Sequence, residues 1–408
     1  MSGSGDVLIL SKRFAGAVRA MADAVRASGR RPVLVSAVPD DPNGRACDAQ
    51  IVVDWESAGI EQLTATVDRA GVKPVGVVNA VESLLPWQIE VARHYGLPGG
   101  EAARQVLLSK AFVRERMAGL GLSSLWFDSG TSATYDIARV PRYPVIVKPS
   151  RESGGSRLVR RANTTEELRT CLDEITRLAG SGFEIVLEEY IDGVEFSVDG
   201  PVTCGEFRGV FVVEKTGYDD GRGHDAGLLV SPPSSAHVRT AAADLEKRIG
   251  RFCEAVGFAE GWLHVEGRAT TVGQSELIEI NPRFGGRLYR PAVLLATGLD
   301  PARVLVSAAT GGELPGSSVA GTRSGSVIGM LPFEAQSLGR VMQVTPLEEM
   351  RSVPAVVDGY VFDPYTVHSL EYENFFAEFL LVTDDVAAME RAVEEVRNRL
   401  SYQVEAFD

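Results

Sequence analysis

Cysteine is scarce in this chain. Four occur in 408 residues, Cys47, Cys171, Cys204 and Cys253. They lie far apart and form no CxxC pair, so neither a zinc knuckle nor a disulfide framework is expected. Excess positive charge is missing too. The formal net charge is −14, and nucleic-acid binding draws on basic surface, so a nucleic-acid partner is not expected. A local basic pocket for a nucleotide remains compatible with that balance. No run approaches the length of a membrane span. The start, MSGSGD, lacks a basic segment followed by a long apolar one, so no signal peptide is expected and a cytoplasmic location follows. Three nucleotide signatures are also lacking. Residues 10–16 have no GxGxxG. No Gly-Lys dipeptide occurs, which removes a Walker A loop. No DFG or HRD set points to a protein kinase. Internal repeats and low-complexity tracts are absent as well.

What is present is an ordinary globular composition, 45% hydrophobic and 24% charged. The length leaves room for about two or three domains. Apolar runs at 6–10, 32–36, 50–54 and 75–79 alternate with helical spacing at 14–28 and 60–69. That alternation predicts an α/β domain with a doubly wound parallel sheet up to about residue 100. A helix is expected over 107–119, carrying Lys110 and Arg114, then a strand over 145–148. A helix over 165–178 has Thr164 as N-cap and Glu167 three residues on, a capping box. Strands are expected at 183–188, 195–199 and 207–213, a long loop over 219–235, and a helix over 241–256. Strands near Val361 and over 377–382 and a helix over 384–400 close the chain.

Residues 277–288 read LIEINPRFGGRL. On an extended strand Glu279, Asn281 and Arg283 share one face, and Ile278, Ile280 and Pro282 the other. Oxygen ligands beside an arginine suit Mg²⁺ and a phosphate. The preceding run, WLHVE at 262–266, puts His264 and Glu266 on one face. A hairpin folded symmetrically about Val272 and Gly273 sets Glu266 opposite Glu279 and His264 opposite Asn281. Two carboxylates facing each other repel, and a cation between them removes the repulsion. The plainer alternative is a solvated polar face on a half-exposed hairpin. Zinc through His264 lacks a third soft ligand.

The stretch 148–156, KPSRESGGS, follows a strand. Ser153, Gly154, Gly155 and Ser156 can turn backbone N–H groups toward an anion, with Lys148 as a point charge beside them. Most glycine-rich turns only satisfy backbone geometry. Glu188 and Glu195 flank a turn at 190–193. The first could accept a hydrogen bond from adenine and the second grip ribose hydroxyls, or both could be exposed acids. His224, in GRGHD, sits in a polar loop where it could meet a substrate or only solvent.

Taken in order, Lys110 in SKAFVRERMAGLGL, Lys148 with PSRESGGS, EEYIDGVEF, LHVEG and EINPRFGG resemble the ATP-grasp family. Residues 76–99 are similar to the segment that precedes that fold. The likeness covers roughly 5–310, and its motif style is nearest to L-amino acid ligases. It implies an ATP-grasp fold: a pre-ATP-grasp α/β domain over 1–105, a linker helix and mobile lid over 106–190, a catalytic core with the metal site over 191–310, and a C-terminal α+β portion over 311–408 packed on the core.

The resemblance also implies roles. Lys110 and Lys148 hold α- and β-phosphates, and the Ser153–Ser156 loop covers the β- and γ-phosphates. Glu188 contacts adenine, Tyr190 and Ile191 form the hinge, and Glu195 binds ribose. Glu266, Glu279 and Asn281 hold two Mg²⁺ ions, which Mn²⁺ can replace. Arg283 and Lys148 are catalytic, Arg283 facing the transferred phosphoryl group. Gly285, Gly286, Arg287, His224 and His264 are the implied substrate contacts. The implied reaction is ATP-dependent activation of a carboxylate as an acyl phosphate, then attack by an amine. The substrates are small molecules, and dimerisation is implied. Biotin carboxylases share the layout but carry Gln-Val-Glu-His where this chain has Phe284-Gly-Gly-Arg-Leu288. A bicarbonate-dependent carboxylase and a non-catalytic nucleotide-binding subunit are the alternatives.

Overall fold

The computed structural model describes residues 5–12, 17–151, 154–217, 224–225, 227–271, 273–313 and 325–407. The first sheet holds β1 (Asp6–Leu10), β2 (Arg31–Ser36), β3 (Ala49–Val52) and β4 (Pro74–Asn79), all parallel, in the order β3-β2-β1-β4. Strand β1 is buried throughout. Its Val7 and Ile9 enter one core and Leu8 and Leu10 another, as a strand covered on both faces requires. Helix α1 (Val18–Ala27) packs Met21 and Val25 into the first core. Helices α2 (Ile60–Arg69) and α3 (Leu85–His94) fill the second. The α1 helix starts at Val18, because Ala17 takes a left-handed conformation and offers no side-chain cap. The earlier part of its expected range, residues 14–16, lies outside the described residues.

The helix expected over 107–119 is two. Helix α4 (Ala102–Leu107) ends, and Ser109 caps α5 (Lys110–Gly119) by accepting the Phe112 N–H at 3.4 Å. A tertiary bond fixes the break: the Lys110 N–H donates to the Ser150 carbonyl at 2.8 Å. Then comes the lid sheet, with β5 (Phe127–Thr131), β6 (Val145–Pro149), β7 (Arg160–Ala162), helix α6 (Thr165–Ala179) and β8 (Glu184–Glu189). The strands run antiparallel in the order β5-β8-β6-β7. Leu168, Leu172 and Ile175 of α6 cover one face. Thr164 caps α6 by accepting the Glu167 N–H. The Glu167 carboxylate reaches one residue further back than a capping box requires, to the N–H and side-chain amide of Asn163.

The large sheet is built from β9 (Val194–Thr203), β10 (Glu206–Phe207), β11 (Phe211–Lys215) and β12 (Leu229–Ser231). After helix α7 (Ala236–Val256) come β13 (Gly261–Ala269), β14 (Ser275–Asn281), helices α8 (Tyr289–Thr297) and α9 (Pro301–Thr310), and β15 (Val327–Glu334). Strands β16 (Gly339–Met342), β18 (Tyr365–Val367) and β20 (Gln403–Glu405) form a small separate sheet around β17 (Val356–Val361) and β19 (Phe375–Thr383) in sequence. Among the described residues the large sheet runs β14-β13-β9-β11-β12-β15-β19-β17, with β10 beside β9. Three expectations change here. The 219–235 segment contains β12, and the strand expected over 207–213 is split between β10 and β11. The chain after 311 does more than pack on the core: β15, β19 and β17 extend the same sheet.

Helix α7 covers one face of this sheet, burying Leu245, Ile249 and Phe252 against Phe196, Val265 and Leu277. Helices α8 and α9 cover the other and carry the core across to β1 and β4. A Cβ at Gly76 would stand 2.9 Å from the Ala309 carbonyl oxygen, so glycine permits this close approach. Among the described residues no single helix is long and apolar enough to cross a membrane.

Candidate active site

The cleft between the lid sheet and the large sheet collects most of the predicted residues. Its floor is the β13–β14 hairpin, in the expected register: His264 pairs with Asn281 and Glu266 with Glu279. The register then slips, with Gly267 opposite Leu277, so Ile278 is the extra residue of a bulge. The Ile278 carbonyl accepts from Lys148 Nζ at 2.9 Å. Each facing carboxylate has its own ammonium. Glu279 Oε1 lies 2.8 Å from Lys110 Nζ. Glu266 Oε1 lies 2.8 Å from Lys215 Nζ and 3.4 Å from His264 Nε2. Burial opposes ionisation of Glu266, but Lys215 and His264 outweigh it and hold its carboxyl well below the usual range.

Lys215 was not foreseen, and it is the hub of the site. Its ammonium meets Glu195 Oε1 at 2.8 Å, Glu266 Oε1 at 2.8 Å and Asp225 Oδ1 at 3.2 Å. Burial alone would push it down; the three carboxylates raise it well above the ordinary lysine value. Glu195, the expected ribose contact, also accepts from Arg268 Nε at 3.3 Å. Arg268 continues to the Tyr190 hydroxyl and the Ile191 carbonyl at 3.2 and 3.1 Å. The lid approaches the same tyrosine: the Arg161 guanidinium sits 4.0 Å from the Tyr190 ring centre.

Glu188 has a different environment from the adenine contact expected of it. Arg114 grips both its oxygens, at 2.8 and 2.9 Å, and Lys148 Nζ lies 2.8 Å from Oε2. Burial raises the Glu188 carboxyl, but the two cations bring it down to about 2. The carboxylate is therefore engaged by protein cations, and it fixes the Lys148 ammonium at the cleft. In the glycine-rich loop, Ser153 lies outside the described residues. Gly154–Ser156 form one tight turn with Gly155 at φ 66° and Ser156 at φ 58°, and Gly155 and Ser156 line the cleft.

Arg283 follows two residues after Asn281. Its Nη1 donates to the Phe284 carbonyl at 3.0 Å, and Nη2 lies 3.8 Å from Glu82 Oε2. Its buried Nε has no hydrogen-bond partner among the described residues. This cation keeps donor capacity in reserve at the cleft.

The implied substrate contacts fare differently. The Gly285 N–H, expected to approach substrate, donates instead to Asp199 Oδ1 at 3.1 Å, and a Cβ there would strike the Tyr289 ring at 2.4 Å. His264 is likewise spoken for: Nδ1 meets Asp199 Oδ2 at 2.6 Å while Nε2 faces Glu266, so the ring is held between two carboxylates. Burial would lower His264, but Asp199 and Glu266 raise it to about 9. His224 is buried, with Nδ1 2.7 Å from Glu334 Oε1, and is not among the lining residues. Gly286 and Arg287 do line the cleft. Arg287 pairs with Asp225 at 2.8 Å and lies 4.2 Å from the Phe375 ring centre.

Lys215, Asp199, Arg268 and Arg114 were missed as site residues. A signal existed for two of them. Lys215 ends the apolar run FVVEK and Asp199 sits within VEFSVDG, and a charge that a buried strand must carry needs a partner.

The donor chemistry of the hairpin suits Mg²⁺. Glu266 and Glu279 oppose each other and Asn281 lies on the same strand as Glu279, all oxygen donors lining the cleft. Among the described residues no three His, Cys, Asp or Glu side chains converge as a metal cage. Two carboxylates and an amide fit an ion that takes its remaining ligands from water and phosphate.

Residues 141–290 match the family model of the ATP-grasp domain. The phosphoribosylamine–glycine ligase of Fusobacterium nucleatum is 33% identical over 94 residues, which is 22% of this chain and 22% of that protein. The structure of an L-amino acid ligase from Bacillus licheniformis superposes with a TM-score of 0.80 at 19% identity, covering 99% of this chain and 100% of that one. A biotin carboxylase–β,γ-ATP complex from Campylobacter jejuni gives a TM-score of 0.72 at 18% identity, covering 99% and 93%. The chain thus carries an ATP-grasp domain within an ATP-grasp fold. Enzymes of this class use ATP and Mg²⁺.

Proposed function

We propose that this protein is an ADP-forming carbon–nitrogen ligase. It activates a carboxylate, an amino acid or small acyl acid, as an acyl phosphate and joins it to an amine, that of an amino acid. A free carboxylate acylates poorly because its leaving group would be oxide; phosphorylation supplies a better one. Phosphoryl transfer asks the protein chiefly for position and charge.

The observation that carries the reading is Arg283. Its buried Nε has no partner among the described residues, and Arg283 lines the same cleft as the opposed carboxylates of Glu266 and Glu279. Arg283 stabilises the phosphoryl group in transfer, and Lys148, fixed by Glu188 and the Ile278 carbonyl, grips the nucleotide phosphates together with Lys110 and the Gly154–Ser156 turn. Glu195 with Lys215 and Arg268 holds the ribose, and the Tyr190–Ile191 turn borders the base. Glu188 acts through Lys148. Glu266, Glu279 and Asn281 would hold two Mg²⁺ ions, with Mn²⁺ as a substitute; bound metal supplies neutralisation of the phosphate oxygens. Homodimerisation belongs to the same reading.

ADP release with a panel of amino acids, with and without bicarbonate, tests it, and mass spectrometry of a pooled amino-acid incubation identifies the product. Amino-acid-dependent ADP with an amide product supports the ligase. Dependence on bicarbonate would assign a carboxylase, and nucleotide binding without turnover a regulatory subunit. The variant Glu279→Gln is expected to lower ADP formation by on the order of 10²-fold or more, because it removes one of the two facing carboxylates. Titration with Mg²⁺ in the same assay checks it: full recovery at high Mg²⁺ would confine Glu279 to metal affinity.

A further inference from the structure

Beyond Lys215 the cleft ends in acidic residues that phosphoryl transfer does not use. Glu373 lies just ahead of β19 and lines the cleft. Its carboxylate accepts the Asp225 N–H at 3.0 Å, and its own N–H donates to the Gly155 carbonyl at 3.2 Å. One residue is thus tied both to the phosphate turn and to the core. Asp225 in turn meets Lys215 at 3.2 Å, and Lys215 meets Glu266 at 2.8 Å. Glu373 is therefore two side chains away from the metal face without touching it.

We propose that Glu373 is the base that takes a proton from the attacking amine. This rests on the ligase reading above. An amino acid presents its amine as ammonium, which has no lone pair to attack with. The Glu373 carboxylate removes one proton. The nitrogen lone pair then adds to the acyl phosphate carbonyl carbon, the bond from that carbon to the phosphate oxygen breaks, and inorganic phosphate leaves with the electron pair. The second nitrogen proton goes to the departing phosphate.

An ordinary carboxylate is too weak a base for this step, and a base works best when its pKa lies near the working pH. Burial pushes the Glu373 carboxyl up to about 7; Arg287 and Lys215 pull it down, and Asp225 pushes it up. Glu378 shares Arg287 with it, and His224, the residue before Asp225, pairs with Glu334. Glu373 is charged above about pH 7, so the amine-dependent rate rises through that pH.

Glu373→Gln keeps an oxygen that can accept the Asp225 N–H and removes the base. The test compares an amino acid with hydroxylamine, which is already unprotonated at neutral pH. Amide formation is expected to fall by about 10²-fold or more, hydroxamate formation to stay within a few-fold, and the rising limb near pH 7 to vanish from the amine-dependent profile. A variant that makes amide at the wild-type rate overturns the role of Glu373 alone. So does equal loss of amide and hydroxamate, which would mark a structural part. Wild-type protein that forms neither product with any acid overturns the ligase reading, and Glu373's role with it.

Discussion

Arg283→Ala is expected to lower ATP-dependent turnover by on the order of 10³-fold, the scale set by removing an arginine that stabilises a phosphoryl group in transfer. Folding should survive. Among the described residues the side chain makes one hydrogen bond, to the neighbouring Phe284 carbonyl, and a long contact to Glu82. Losing them costs about 1 kcal/mol. The two readouts separate the explanations. Steady-state ADP release should collapse in kcat while thermal unfolding stays near that of the wild type. A variant with near-normal turnover would remove Arg283 from the chemistry.

Glu188→Gln is expected to do the opposite, acting first on stability. Arg114 and Lys148 are both buried on this one carboxylate. Removing the charge leaves two cations in the interior without their main anion, a loss of about 3 to 5 kcal/mol. Denaturant unfolding measures it. The exposed Arg142–Glu189 pair provides the contrast, since Arg142→Ala should cost less than about 1 kcal/mol. The pH dependence follows from the same pair of cations. The folded protein holds Glu188 at about 2, below the ordinary 4.5. Its contribution is therefore complete above about pH 4.5 and is lost as pH falls toward 2.

The hairpin register was legible because two periodicities agree. Alternation gave the faces of 262–266 and 278–283, and the turn at Gly273 gave the pairing. The parallel N-terminal sheet was legible for a similar reason: mainly apolar strands separated by helical segments allow few other architectures. What escaped was set by distant partners. Glu195, Asp225 and Glu266 meet on Lys215 from three separate strands or loops, and no local spacing announces that. The Gly285 N–H was assigned to substrate because nothing nearby could claim it, yet Asp199 reaches it from 86 residues away. The break between α4 and α5 depends on a bond to Ser150, which a propensity reading cannot see. Strand β12 is three residues long and surrounded by turn-formers, so its place in the sheet comes from its neighbours.

The sharing of one sheet by β12, β15, β19 and β17 has a practical corollary for shortened versions of this protein. A chain stopped near residue 311 would retain Glu266, Glu279 and Asn281 and still lose β15, β17 and β19, three of the nine described strands of the large sheet. The outward side of β12 would be stripped of the β15 hydrogen bonds at Leu229, Val230 and Ser231. A naked edge of that kind invites strand addition from another copy and so aggregation. The smallest soluble active form should therefore extend at least through β19.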